Sequence, residues 1–269
     1  MKKTLLLIAT VLLALGCSGP KAPKVLVLYY SQSSNTESVA QQIASRLGAD
    51  IEKIVPSVPY DGSYEETIER GRQELDGEVP GIEPISSDIS SYDVIFLGYP
   101  IWFGTYANPI RALLEQENFA GKKVVPFCTF GSGGLDTSSK ALANKLTKAK
   151  VLPGYGVRAA RMASAPAEID RFLMEGGFLK GDFEPLPDFS AERDVTEAES
   201  AIFDTAVGDY PMISAYATKV ASRPVPGGTE YLFTALNKPG PDGVQRPGQM
   251  KIYVIAMDGK APEFTQVLR

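Results

Sequence analysis

Val25-Leu26-Val27-Leu28-Tyr29-Tyr30 runs directly into Ser31-Gln32-Ser33-Ser34-Asn35-Thr36, and this join decides the fold. The first six residues are almost wholly apolar, which suits a strand buried on both faces in a parallel sheet. Downstream, Val39, Ala40, Ile43, Ala44 and Leu47 recur at helical spacing, and Gly48 stands where a C-terminal cap belongs. A strand feeding a helix through a short polar turn is the opening of a βαβ unit. The turn carries hydroxyls and amides and no charge. A helix N-terminus offers unpaired N–H groups and a partial positive charge, so hydroxyls beside it make a phosphate cradle. Simple N-capping would use the same residue types. The turn has neither the Gly-x-x-x-x-Gly-Lys pattern of a triphosphate loop nor the Gly-x-Gly-x-x-Gly of a dinucleotide site.

Two more apolar runs, residues 94–97 and 124–128, read as sister strands. Pro126 is an objection to the second, because proline gives a ladder no donor. A charged pattern over 64–75 reads as a solvent-facing helix. Asn108-Pro109 opens another helix with Ile110, Leu113 and Leu114, and two more follow over 138–149 and 168–175. Strands alternating with helices over residues 24–180 imply a doubly wound α/β sheet.

Each sister strand is followed by an uncharged loop. After the strand at 94–97 comes Gly98-Tyr99-Pro100-Ile101-Trp102-Phe103-Gly104-Thr105-Tyr106-Ala107-Asn108, which holds the chain's only tryptophan. Loops are ordinarily polar. An aromatic one needs a cover, either a flat conjugated ring or the protein's own core. After the strand at 124–128 comes Thr129-Phe130-Gly131-Ser132-Gly133-Gly134, whose glycines admit a close backbone approach or make a flexible turn. All three loops leave the carboxyl edge of one sheet, where ligands of doubly wound folds bind at the topological switch point. One suits a phosphate, one a ring and one close backbone contact.

Residues 29–36, 99–104 and 130–134 resemble, in order, the phosphate-binding motif and the two ring-binding loops of flavodoxins. The resemblance implies a flavodoxin-like five-stranded parallel sheet in the order 2-1-3-4-5, with FMN as cofactor. By the same resemblance Ser31, Gln32, Ser33, Ser34, Asn35 and Thr36 line the phosphate site. Pro100, Ile101, Trp102, Phe103 and Gly104, with Thr129, Phe130, Gly131, Ser132 and Gly133, line the ring. Trp102 is expected to stack on or edge the ring, and Tyr106 and Phe130 are candidates for its opposite face. No loop carries Lys or Arg, so the phosphate charge stays uncancelled and a low potential is expected for the second electron. No metal is expected, and no residue is assigned a catalytic role. Cys128 reads as a small buried residue.

The remaining features place the chain in the cell. Lys2 and Lys3 precede an apolar run over 4–15, too short for a spanning helix, which reads as a signal peptide over 1–16. Ala14-Leu15-Gly16-Cys17 resembles a bacterial lipobox, with an ordinary secretory signal as the alternative. Lipidation at Cys17 would make residues 17–23 a tether and place the protein, exported, in the cell envelope at a periplasmic or outer-membrane face. The net charge of −5 argues against nucleic acid as a partner, and the absence of histidine rules out imidazole chemistry.

Residues 181–195 read as a linker, and 196–269 as a small α+β domain. Thr196 and Glu199 form a capping box, and strands are expected at 213–221, 230–236 and 250–257. Helix followed by strands resembles a cystatin-like fold, and an interaction or docking role is expected. Tyr210, Tyr216, Tyr231 and Tyr253 read as core or rim residues. The sequence therefore implies an exported FMN electron carrier serving a redox partner protein or small electron acceptor. An FMN-dependent NAD(P)H:quinone-type oxidoreductase and a non-redox binding module on the same scaffold are the alternatives.

Overall fold

A computed structural model describes residues 22–268 apart from 209, 241, 245 and 246. The leader and Cys17 lie outside the described residues. β1 (Val25–Tyr29), β3 (Val94–Trp102) and β5 (Lys123–Phe130) form the middle of a parallel sheet, with β2 (Asp50–Lys53) beyond β1. On the far side β5 pairs in turn with β6 (Lys150–Val151) and β7 (Tyr155–Arg158), two halves of one interrupted strand. The order is that expected, 2-1-3-4-5 with the fifth strand broken.

The break accounts for Pro126. Successive residues of a strand turn their backbone groups to opposite neighbours. The carbonyl of Val124 accepts from the N–H of Leu152, so Pro126, two residues on, faces the same way. Its missing donor falls where the fifth strand bows out at Leu152-Pro153-Gly154.

Both sheet faces are covered. Leu26, Leu28, Ile95 and Leu97 point to one core, completed by Ile110 and Leu113 of α3 (Asn108–Gln116) and Leu142 of α4 (Leu135–Lys145). Val27, Val94, Phe96 and Phe127 point to the other, against Val39 and Ile43 of α1 (Asn35–Leu47) and Ile169 and Leu173 of α5 (Ala165–Glu175). The change of face puts the switch point between β1 and β3, at the carboxyl edge.

Two sequence expectations need correction. The helix over the charged pattern, α2 (Tyr64–Asp76), is not merely solvent-facing, because it lies on the aromatic loop through Gly71. A Cβ there would meet the Phe103 ring at 3.2 Å, which gives a glycine in mid-helix its reason. The hydrophobic pattern missed this because the contact face is made by Gly71 with the charged Arg70 and Glu74 rather than by apolar residues. The second correction concerns the proposed linker. It ends in β8 (Arg193–Asp194), which pairs with β9 (Ala215–Val225), and Ser190 also donates to Ser222 O.

The C-terminal unit is an antiparallel sheet ordered β12-β11-β10-β9-β8, crossed by α6 (Glu197–Val207). β10 (Gly228–Asn237), β11 (Gln249–Met257) and β12 (Glu263–Leu268) complete it. Phe203 and Val207 of α6 pack on Phe233, Ile252, Phe264 and Val267. β12 went unread in the sequence because it is short and two polar residues separate Phe264 from Val267 and Leu268.

Candidate functional site

The three loops named from the sequence meet at the carboxyl edge of β1, β3 and β5. In the first, Ser34 holds φ +63°, a left-handed conformation uncommon outside glycine, and its side chain does not cap α1. Ser31 instead accepts from Glu37 N–H at 3.2 Å from below. Ser33 and Ser34 stay exposed and Asn35 half-buried. Glu37, the one acid of the first turn, is occupied by Tyr29 Oη at 3.2 Å and Lys53 Nζ at 3.3 Å. Burial, with the Glu37 contact, pushes the Tyr29 phenol up to about 12. A helix N-terminus whose nearest hydroxyls are exposed and whose nearest carboxylate is already paired suits an incoming anion.

Two residues of this loop have other partners. Gln32 accepts from Tyr30 Oη at 2.5 Å and donates to Tyr60 O at 2.5 Å, so its amide braces the neighbouring aromatics. Thr36 is buried, and its hydroxyl shares a hydrogen bond of 2.8 Å with Thr129, fastening the first loop to the third.

The second loop is a hairpin. Ile101 and Trp102 pair antiparallel with Tyr106 and Thr105 of β4 (Thr105–Tyr106). Phe103 and Gly104 form the turn at φ +50° and +82°. A turn with both residues at positive φ is the mirror-image type that normally takes Asn-Gly. Phenylalanine there is a strained choice, worth roughly 1–3 kcal/mol. Trp102 stands edge-on to Tyr30 at 5.7 Å and Tyr60 at 5.0 Å and is itself half-buried. Arg70 of α2 lies over Tyr60 at 3.8 Å and pairs with Glu74, which also accepts from the Tyr60 hydroxyl and from Asn108. The loop is thus covered from behind by its own domain. Pro100 and Ile101 are half-buried beside it, and Phe103 remains 44 % exposed.

The third loop leaves β5 at Phe130, which is 5 % exposed and packs in the core. Its side chain is therefore inside the protein; Tyr106, the other candidate for the opposite ring face, is half-buried against Tyr99 at 6.0 Å. Gly131 is exposed, and Ser132 and Gly133 half-buried. Gly134 begins α4 at φ +124°. Cys128 is fully buried below, and burial pushes its thiol far above the ordinary value.

Two functional neighbours were missed. Arg158 at the end of β7 donates from Nε to Gly131 O at 2.8 Å, so a guanidinium borders a loop that lacks cations in its own sequence. Tyr210, from the C-terminal unit, reaches the same place: a Cβ on Gly131 would lie 2.9 Å from its hydroxyl. The register Phe130↔Arg158 positions Arg158, and no local pattern betrays that pairing.

A family model described as Flavodoxin matches residues 24–165. The chain belongs to the flavodoxin family. The flavodoxin part carries all three loops, and the C-terminal unit lies beyond the matched residues. A crystal structure from Bacteroides eggerthii, provisionally classed as a flavoprotein, is similar with 26% identity and a TM-score of 0.52. It covers 57% of this chain and 98% of its own. A second of the same description, from Bacteroides uniformis, has 25% identity and a TM-score of 0.50, covering 56% and 99%. A protein of Gluconacetobacter diazotrophicus named NAD(P)H dehydrogenase (quinone) is 32% identical over 98 residues, which are 35% of this chain. The chain spans 46% of that relative's length. FMN is the cofactor of the flavodoxin family.

Proposed function

We propose that this chain is an FMN-binding electron-transfer protein, exported and lipid-anchored at Cys17, that passes electrons to a redox partner protein or a small acceptor. One observation carries the reading: three uncharged loops converge at the switch point, the first ending on a helix N-terminus whose N-cap side chain, Ser34, makes no cap bond. Ser33, Ser34, Asn35 and the first N–H groups of α1 would hold the phosphate, over a floor made by Ser31 and Thr36. Backbone groups of 100–104 and 129–133 would meet the polar edge of the ring, with Trp102 beside it. Bound FMN supplies one- and two-electron redox chemistry. The chain binds and orients it, and the aromatic cluster and Gln32 keep the second loop in place.

The second reading, an FMN-dependent NAD(P)H:quinone-type oxidoreductase, is favoured by the Gluconacetobacter relative's name. The two share a cofactor site and differ in the electron donor.

The test is FMN titration of the full-length protein in detergent, read by Trp102 emission, the only indole signal in the chain. Saturable quenching and a retained visible flavin band are expected. If neither appears, both redox readings fall and a binding module remains. Rapid bleaching of the band by NADH or NADPH, followed by quinone reduction, would replace the carrier with the oxidoreductase. For the anchor, Cys17→Ser is expected to release the protein from the membrane fraction, and continued membrane retention would refute lipidation there.

A further inference from the structure

The third loop meets the C-terminal unit over three consecutive residues, through Arg158 at Gly131, by a direct hydrogen bond at Ser132 and by close approach at Gly133. Gly131 O accepts from Arg158 Nε, and the same guanidinium donates from Nη1 to Phe264 O of β12 at 2.9 Å. Ser132 O accepts from Val267 N–H of β12 at 2.7 Å. Gly133 lies so close to Val267 O that a Cβ there would overlap it. Arg158 is 8 % exposed and lies 3.3 Å from the Phe264 ring centroid, with Tyr210 at 5.3 Å. Beside it Arg161, equally buried, pairs with Glu263 at 3.1 Å and Glu168 at 2.7 Å, tying the start of β12 to the flavodoxin part.

Burying a guanidinium is costly unless its donors are satisfied. Arg158 meets that condition only while both units are in place, since one carbonyl comes from each. Val267 lies on the edge strand of its sheet, so its N–H is free to bond Ser132 rather than a further strand.

We propose that the C-terminal unit is a structural part of the FMN site, with β12 clamping residues 131–133 and Arg158 acting as the positioning residue that bridges the two units. The proposal rests on the FMN reading above. A loop already held in its bound shape loses less freedom when the ligand arrives, so the clamp contributes affinity without touching the ligand. It also gives the C-terminal unit a role other than a freely swinging docking module.

Three single substitutions break the clamp in different ways. Val267→Pro removes one N–H at an edge position that tolerates proline. Gly133→Ala places a methyl against Val267 O. Arg158→Gln removes the bridge, and Arg158→Lys restores a single donor. In full-length protein each of the first three is expected to weaken FMN binding by about tenfold, the scale of one ordering hydrogen bond. Arg158→Lys is expected to fall between the glutamine variant and the unmodified chain. Hydrogen exchange at 129–135 without FMN is expected to rise in Val267→Pro while β9–β11 keep their protection. FMN affinities within about twofold of the unmodified chain in all three variants would overturn the clamp, as would unchanged exchange in the loop. If the unmodified chain takes up no FMN, the cofactor reading is what fails, and the exchange measurement then decides whether β12 holds the loop.

Discussion

The second and third loops are neighbours at one sheet edge and equally uncharged, yet they are braced by opposite means. The second rests on its own domain: Trp102 leans on Tyr30 and Tyr60, and α2 closes over Phe103 with Gly71. In the third, residues 131–133 have Arg158 beside them and are otherwise held by β12, from more than a hundred residues downstream. A single ligand edge is therefore built by two folding units. Its aromatic side is fixed once the flavodoxin part folds, and its glycine side is complete only after the C-terminal unit docks.

The sharpest way to break this contrast is to unfasten the second loop from within. Asn108 is wholly buried, and its amide donates to Gly71 O at 2.8 Å and to Glu74 at 3.0 Å. Asn108→Ala leaves both acceptors buried without that donor, at a cost of about 2 kcal/mol. Urea unfolding of the flavodoxin part should shift accordingly, and Trp102 emission should move to longer wavelength in the native baseline. An unchanged midpoint would mean that α2 is held without Asn108, by the aromatic stack and by Arg111, which donates to Glu74 O at 2.7 Å and Leu75 O at 3.0 Å. The hydrogen exchange of residues 131–133 should stay as it was, since their clamp lies elsewhere.

A smaller effect is expected at the hairpin turn. Phe103 occupies a position that favours asparagine and packs only partly on Gly71. Phe103→Asn is expected to raise the stability of the protein without FMN by about 1 kcal/mol, as the relief of strain exceeds the lost contact. Thermal melts of the two forms decide it. A lower melting temperature would show that the ring's packing on α2 outweighs the backbone strain.

The contrast also explains what could be read from the sequence. The parallel sheet was legible because strands buried on both faces leave apolar runs, and residues 25–30, 94–97 and 124–128 are such runs. The three loops were legible because each follows its strand directly. The hairpin at Phe103-Gly104 was not, since its turn residues break the usual preference. The cover over the aromatic loop came from a helix whose contact face is Gly71 with the charged Arg70 and Glu74. Arg158 and β12 were hidden for a different reason: their meaning comes from register and from packing between distant segments, which no local period records. The inference that the site lacked a cation was correct for the loops and incomplete for their surroundings. Arg158→Gln therefore should lower the second-electron potential further, measurable by redox titration.

The smallest expected effect tests how the C-terminal side of the contrast is held together. Glu199 accepts from Arg193 at 2.6 and 2.8 Å and from Thr196, which joins β8 to the start of α6. The Arg193 guanidinium, with the Thr196 donors, lowers its carboxyl to about 2 from an ordinary 4.5. A carboxyl depressed by folding adds stability that is complete above its unfolded value and is lost as pH falls through the folded one. The contribution should therefore be intact above about pH 4.5 and gone near pH 2. α6 carries Phe203 and Val207 beneath Phe264 and Val267, so loosening its start weakens the support under β12. Exchange at 131–133 should rise more steeply between pH 4.5 and 3 in the unmodified chain than in Glu199→Gln, where that step is already absent. Equal slopes would show that the start of α6 does not carry the acid sensitivity of the clamp.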